Sequence, residues 1–148
     1  MTDDGRMAHT MSPAECREFL AEGTRTGKLA TVRADGWPHV APVWFVLDGD
    51  ALVFTTGAAT VKGRNLARDG RVAITVDDER APYAFVVVRG RVALSEDVES
   101  LRAWSTRIGG RYMGADRAEE FGARNGVPGE LLVRVTPESV VGQSAVAE

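Results

Sequence analysis

The sequence has few of the residues that build metal centres and hydrolase active sites. Its 148 residues contain one cysteine, Cys16, and two histidines, His9 and His39. A single thiol cannot form a disulfide within the chain, and three such side chains are too few for a thiolate or imidazole metal cluster. A catalytic triad built on histidine has almost no candidates. We therefore predict no metal site and no histidine-based hydrolase.

Two familiar phosphate-binding motifs and one nucleophile motif are also absent. No G-x-G-x-x-G follows a predicted strand, and no G-x-x-x-x-G-K-[ST] loop is present. The G-x-S-x-G turn that carries the serine of α/β-hydrolases is missing as well. Any phosphate site in this chain must therefore be built differently from a Rossmann or Walker loop.

Long apolar runs and an excess of basic charge are lacking too. No segment approaches the roughly 18 apolar residues that span a bilayer, and the first ten residues have no apolar signal core. The net charge of −3 and the pI of about 5.5 give no general attraction to nucleic acid. We expect a cytoplasmic protein with neither a membrane nor a nucleic acid as partner.

The remaining pattern predicts an α+β fold. Residues 1–11 are polar and aperiodic and are predicted to be a flexible tail, whereas residues 12–148 are predicted to be a single domain. Ser12, Pro13 and Glu15 form a capping box that begins a helix. Turn signals separate short strands, predicted over residues 29–33, 38–47, 51–56, 71–76, 83–94, 130–135 and 139–141. Such strands, mostly antiparallel and flanked by helices, close most naturally into a small barrel.

The segment from Thr55 to Leu66 has the composition of an anion-binding loop at a helix start. Two threonines end a predicted strand, small residues follow, and the next helix carries Lys62 with Asn65 one turn later. Hydroxyls, helix N-terminal amides and an ammonium group together suit a phosphate. The alternative is a plain strand-to-helix connection with solvated basic side chains. The segment alone does not decide between the two.

Three motifs occur in order along the chain. The first is Gly-Lys-Leu-Ala-Thr-Val at 27–32 with the Asp35-Gly36 turn, and the second is Pro-Val-Trp-Phe at 42–45. The third is K-x-x-N-L-x-x-D from Lys62 to Asp69, followed by Arg-Val-Ala-Ile at 71–74. From about residue 13 to 142, the chain resembles the pyridoxamine 5′-phosphate oxidase-like superfamily, and within it the actinobacterial flavin and deazaflavin oxidoreductases. The resemblance implies a six-stranded, mostly antiparallel split β-barrel with flanking helices.

The resemblance also implies a homodimer with cofactor sites at the subunit interface. Cofactor phosphate would be bound by Lys62, Asn65, Thr55, Thr56 and Thr60, with Arg64 as a helper. The strand that carries Pro42, Val43 and Trp44 would lie along the cofactor ring, and Tyr83 would approach from the partner subunit. No side chain is predicted to be catalytic.

The resulting hypothesis is an oxidoreductase that uses the deazaflavin coenzyme F-420 to deliver hydride to an electron-poor organic small molecule. One alternative is an FMN-dependent oxidoreductase of the same superfamily, since Lys62 and Asn65 cannot discriminate two similar cofactors. Another is a non-catalytic protein that binds a flavin or a tetrapyrrole. A group of arginines is a further candidate, as a site for the polyglutamate tail of a deazaflavin: Arg102, Arg107, Arg111 and Arg117.

Overall fold

Eight β-strands form one antiparallel sheet in the computed structural model, which describes residues 8–148. The strands are β1 His9–Thr10, β2 Gly27–Val32, β3 Pro38–Val43, β4 Val46–Asp48, β5 Ala51–Gly57, β6 Arg71–Asp78, β7 Ala84–Ser95 and β8 Glu130–Ser144. Hydrogen-bonded neighbours follow the order β3–β2–β6–β7–β8–β5–β4, and β1 adds to β8. Strand β3 therefore lies at one end of the sheet, with its outer backbone edge open.

Helices flank the sheet at three places in the chain. They are α1 Pro13–Ala21, α2 Val61–Arg68, α3 Val98–Met113 and α4 Ala118–Asn125, with a 3₁₀ turn at Ala115–Arg117. The predicted capping box starts α1, because the Glu15 amide donates to Ser12 Oγ at 3.1 Å and the Ser12 amide donates to Glu15 Oε1 at 2.8 Å. No helix within residues 8–148 is long and apolar enough to cross a membrane.

The sheet curls so that strands from its two halves share one core. Leu29 on β2 and Val43 on β3 belong to the same buried cluster as Phe54 on β5 and Val133 on β8. A second cluster lies beneath α3 and includes Val53, the neighbour of Phe54. Successive side chains of a strand point to opposite faces, so β5 separates the two clusters. This architecture confirms the α+β split β-barrel.

The number of strands differs from the predicted six. The predicted strand over residues 38–47 is two strands, because the chain turns at Trp44 and Phe45. There the Phe45 amide donates to the Tyr112 hydroxyl at 3.2 Å, and its carbonyl accepts from Arg111 at 2.7 Å. The last two predicted strands are one, β8, which continues through a register shift opposite Arg89 and Gly90.

The last three residues of the predicted tail are held by the sheet. His9 and Thr10 pair with Ser144 and Gln143 at the end of β8. The Met11 amide donates to the Gly142 carbonyl at 2.9 Å, which leads the chain directly into α1. Residues 1–7 of the predicted tail lie outside the described residues.

Candidate functional site

The connection from β5 to α2 is a tight turn held by backbone contacts. The Gly57 carbonyl accepts from the Thr60 amide at 3.2 Å and from the Thr60 hydroxyl at 2.7 Å. The Ala58 amide donates to the Gly129 carbonyl at 2.9 Å, which ties the turn to the start of β8. A Cβ atom on Gly63 would lie 2.2 Å from the Gly57 carbonyl oxygen, so only glycine allows α2 to approach this closely.

The first turn of α2 presents hydrogen-bond donors that the chain does not use. Thr60 is the N-cap, and its hydroxyl accepts from the Gly63 amide at 3.1 Å. Thr56 Oγ1 lies 3.3 Å from Thr60 Oγ1. The amides of Val61 and Lys62 have no acceptor among residues 8–148. Free amides at a helix start attract anions, because they lie at the positive end of the helix dipole.

Lys62 adds a positive charge to this helix start. Its ammonium group has no ion-pair partner in the part of the chain that the structure describes. Its charge acts on the carboxylate of Glu130, which pairs with Gly57 at the first position of β8. Burial raises the pKa of Glu130, and the charge of Lys62 lowers it in part. No sequence motif marks Glu130, since only strand pairing brings it to Gly57, 73 positions earlier in the chain.

Asn65 is committed to holding α2 on the sheet. Its side chain is 4% exposed, its Nδ2 donates to Thr31 Oγ1 at 3.0 Å, and its Oδ1 accepts from Arg68 at 2.9 Å. Because both ends of the amide have partners within the chain, the structure gives Asn65 a bracing role. The predicted contact of Asn65 with phosphate has no support from this geometry.

The side chain of Thr55 does not join the other threonines. Thr56 lies on the same face of β5 as the barrel core, together with Phe54, whereas Thr55 faces the side that α3 covers. The structure does not bring the Thr55 hydroxyl to the helix start, and its contact with phosphate stays a prediction. Thr56 and Thr60 are the two that meet at the helix start.

A basic groove of about 220 Å³ runs between the β2–β3 turn and α2. Arg64 is exposed there, and its guanidinium makes no hydrogen bond or ion pair within residues 8–148. Two arginines that the sequence did not suggest join it, Arg33 and Arg68, and the Arg68 guanidinium also donates to the Val32 carbonyl at 2.8 Å. Neither belongs to a phosphate-binding motif, so only the folded chain identifies them.

The strand predicted to lie along the ring offers an exposed edge and an aromatic end. Pro42 is exposed, but the side chain of Val43 is 6% exposed and belongs to the core, so only its backbone could contact a ligand. Trp44 is 37% exposed and stacks on Tyr112, with ring centroids 5.0 Å apart and planes 4° from parallel.

Two residues of α3 fix the corner that carries Trp44. The Arg111 guanidinium donates to the carbonyls of Leu20, Gly23 and Phe45 at 2.8, 3.0 and 2.7 Å. The Tyr112 hydroxyl donates to the Arg25 carbonyl at 2.9 Å, and burial raises the pKa of this phenol, which keeps the proton on the hydroxyl. The corner is thus bonded to α3 and to the segment after α1.

The arginines considered for a polyglutamate tail do not form one open cluster. Arg111 is occupied by backbone carbonyls, Arg117 is paired with Glu120 at 2.8 Å, and Arg107 lies over the Trp104 ring. In the groove beside α2, Arg33 pairs with Asp35 at 3.4 Å and Arg68 bonds to Val32 and Asn65, which leaves the Arg64 guanidinium without a partner among residues 8–148.

Tyr83 lies far from Lys62 within one chain. It is 46% exposed and precedes β7, where Ala84 pairs with Asp78 at the end of β6. Helix α2 is braced on Thr31, beyond the pairing of Ala30 with Ala73 near the start of β6. Six strand residues correspond to about 20 Å. A single subunit therefore does not bring Tyr83 to the start of α2.

Comparisons with known proteins agree on one family. The family model described as pyridoxamine 5′-phosphate oxidase matches residues 12–144. A biliverdin reductase of Mycobacterium tuberculosis, named as dependent on reduced coenzyme F-420, is 35% identical over 98 residues, which cover 64% of this chain and 67% of the relative.

Solved structures give the same fold. A conserved hypothetical protein of Mycobacterium tuberculosis superimposes with a TM-score of 0.80 and 26% identity over 91% of this chain and 86% of its own. A structure named F-420 reductase superimposes with a TM-score of 0.66 and 33% identity over 83% of this chain and 94% of its own.

Proposed function

The chain belongs to the pyridoxamine 5′-phosphate oxidase family, and on that basis we propose that this oxidoreductase delivers hydride from reduced coenzyme F-420 to an electron-poor organic small molecule. Two relatives at 33% and 35% identity carry names that include this coenzyme, which favours it over other cofactors. The residues at the start of α2 are consistent with a phosphate-bearing cofactor.

The observation that carries the proposal is the set of unused donors at the start of α2. The free amides of Val61 and Lys62 and the Lys62 ammonium belong to the first turn of α2, where a phosphate would be bound. The Thr60 hydroxyl caps that turn and already donates to the Gly57 carbonyl at 2.7 Å. Hydrogen bonds to a charged group are about twice as strong as neutral ones, so this small set is sufficient for an anchor.

The open edge of β3 is the proposed support for the ring. Pro42 and Trp44 lie at the end of β3 that is remote from the Asn65 brace, and the outer backbone groups of β3 have no partner strand in the described chain. When bound, the reduced deazaflavin supplies the hydride, which is why the chain needs no nucleophile of its own. The groove of Arg33, Arg64 and Arg68 is the proposed contact for the acidic tail of the coenzyme.

A homodimer would complete this site. Val40 on the open strand β3 is 63% exposed, and Trp37, just before that strand, is 70% exposed. Together they form an apolar surface that a second copy could cover. About 20 Å of strand separates the end of β6 next to Tyr83 from the Thr31 position that braces α2, so the proposed contact of Tyr83 with the cofactor comes from the partner subunit.

FMN is the second candidate cofactor. The family match itself favours it, because the match is to pyridoxamine 5′-phosphate oxidase, and a phosphate site at α2 would accept the phosphate of FMN as well. A role in storing the cofactor without turnover is the non-catalytic form of the same proposal.

Binding and turnover separate these functions. Fluorescence titration with F-420 and with FMN gives the two dissociation constants, and native mass spectrometry gives the cofactor bound per dimer. We expect F-420 to bind more tightly and to be oxidised by members of a panel of electron-poor acceptors. Tight binding without oxidation by any acceptor would favour storage, and binding of neither cofactor would overturn the proposal.

A further inference from the structure

A carboxylate stands beside the proposed phosphate site, where a second negative charge is unexpected. Glu130 begins β8 directly opposite Gly57. A Cβ atom on Gly57 would lie 3.4 Å from Glu130 Oε2 and 3.3 Å from Thr60 Cγ2. The carboxylate therefore sits against the same turn that provides the N-cap of α2.

The backbone around Glu130 fixes it there. The neighbouring Gly129 carbonyl accepts from the Ala58 amide at 2.9 Å, and the Glu130 amide donates to the Val127 carbonyl at 3.4 Å. The Glu130 side chain is half-buried and makes no hydrogen bond or ion pair with residues 8–148. The charge of Lys62 acts on this carboxylate from outside ion-pair distance, so the carboxylate, held on a rigid strand, is available to act on a ligand as well.

The two candidate cofactors differ in the charge that they bring to this place. FMN ends in a phosphomonoester, which carries close to two negative charges at neutral pH because the second pKa of such a group is about 6. In F-420 the phosphate is a diester and carries one. Coulomb energy is proportional to charge, so a nearby carboxylate disfavours the monoester about twice as strongly as the diester.

We propose that Glu130 is a specificity residue that biases the site toward a phosphodiester, as in the deazaflavin, and against the phosphomonoester of FMN. Lys62 attracts both phosphates, and Glu130 reduces the advantage that a dianion would otherwise have. This inference rests on the proposed function, since it assumes that phosphate is bound at the start of α2.

The test is the substitution Glu130→Gln, which removes the charge and keeps the side-chain volume. Dissociation constants are measured at pH 8 for FMN, for F-420 and for riboflavin, which has the FMN ring without phosphate. We expect FMN to bind about fivefold more tightly to the variant, F-420 about twofold more tightly, and riboflavin with unchanged affinity.

Two variants control for effects other than charge at this position. Glu130→Asp keeps the charge and should retain the selectivity of the unmodified protein. Glu138→Gln removes a charge from the same strand, at an exposed position where Glu138 pairs with Arg91 at 3.0 Å, and should leave all three constants unchanged.

The outcomes separate this inference from the function on which it rests. If the affinities of Glu130→Gln for FMN and F-420 rise equally, or if its affinity for riboflavin rises as much as that for FMN, Glu130 does not discriminate between the phosphates and the inference is wrong. If F-420 binds tightly and the ratio of the FMN and F-420 dissociation constants is the same in Glu130→Gln as in the unmodified protein, the proposed function stands and only the role of Glu130 is wrong. If neither phosphate-bearing cofactor binds to any variant, both proposals fall.

Discussion

Arg111 and Lys62 are two cations at two corners of the barrel, and the chain uses them in opposite ways. Arg111 directs its guanidinium at four backbone carbonyls, three of them near the end of α1 and one at the Trp44 corner. Lys62 stands at the start of α2 beside amides that have no acceptor among the described residues. One corner satisfies its own polar groups, and the other leaves donors unused.

The difference shows what distinguishes a structural cation from a ligand-binding one. The carbonyls around Arg111 lie at the end of α1, just after it, and between β3 and β4, and a buried carbonyl without a donor is costly. Arg111 supplies those donors, so it is part of the fold. The amides of Val61 and Lys62 face no such acceptor, and water can satisfy them until an anion arrives. The comparison predicts that damage to one corner lowers stability and damage to the other lowers affinity.

The largest expected effect is on stability, from Arg111→Ala. The change removes the donors to the Leu20, Gly23 and Phe45 carbonyls and should lower the free energy of unfolding by about 2–4 kcal/mol. Urea unfolding measures this value. Arg107→Ala on the exposed side of the same helix is the control and should cost little. Equal losses in the two variants would contradict the structural role of Arg111.

The second prediction concerns affinity, through Lys62→Ala. Loss of a charged hydrogen bond should weaken cofactor binding by about 1.5–3 kcal/mol, with little change in the free energy of unfolding. Fluorescence titration measures the first quantity and urea unfolding the second. The matched control is Lys28→Ala, since Lys28 is the only other lysine and pairs with Asp77 at 3.0 Å. Unchanged affinity in Lys62→Ala would remove the anchor from the proposal.

The third prediction concerns Gly63, where one substitution should lower both stability and cofactor affinity, because this residue allows the close packing of α2 and lies in the first turn that forms the proposed site. In Gly63→Ala the new Cβ would meet the Gly57 carbonyl oxygen at 2.2 Å, so α2 must shift. We expect a loss of about 1–3 kcal/mol in unfolding free energy together with weaker cofactor binding. Gly110→Ala is the control, since its Cβ would meet only the Cβ of Ala118 at 3.4 Å. Full affinity in a destabilised Gly63→Ala would show that the position of α2 is not critical.

Short-range patterns in the sequence were sufficient to predict features whose interacting residues lie close together in the chain. The capping box at Ser12 and the lysine in the first turn of α2 lie within a few residues of the groups they serve. Short-range spacing is enough to predict such features. The same holds for the hairpin turn at Gly36, whose φ of 87° suits glycine.

The features that the sequence did not indicate depend on residues distant in the chain. The spacing of Asn65 from Lys62 suits a phosphate ligand, but the Asn65 side-chain amide donates to the hydroxyl of Thr31, 34 positions earlier in the chain. The break after Val43 depends on donors and acceptors from α3, and Glu130 reaches the site only through the pairing of β8 with β5. Strand register of this kind is set by the whole fold and has no short-range signature.

The smallest predicted effect lies at the opposite end of α2, where Asp69 and Arg71 form an exposed pair. The Arg71 guanidinium, at 2.7 Å, and the Arg71 amide hold the pKa of Asp69 at about 2, below the ordinary 3.8. A carboxyl with a lowered pKa stabilises the fold above its unfolded pKa and loses that contribution as the pH falls toward the folded value. The stability gap between the unmodified protein and Asp69→Asn should therefore shrink between pH 4 and pH 2.

Melting temperatures across this pH range measure the gap, with Asp50→Asn as the control. Asp50 is exposed and its contact with Arg17 is longer, at 3.4 Å, so its variant should show little pH-dependent difference. The Asp69 pair is structural like the Arg111 contacts but exposed to solvent, so its contribution should be much smaller than theirs. A difference in melting temperature between the unmodified protein and Asp69→Asn that stays constant down to pH 2 would show that the ionised Asp69 carboxylate does not stabilise the fold.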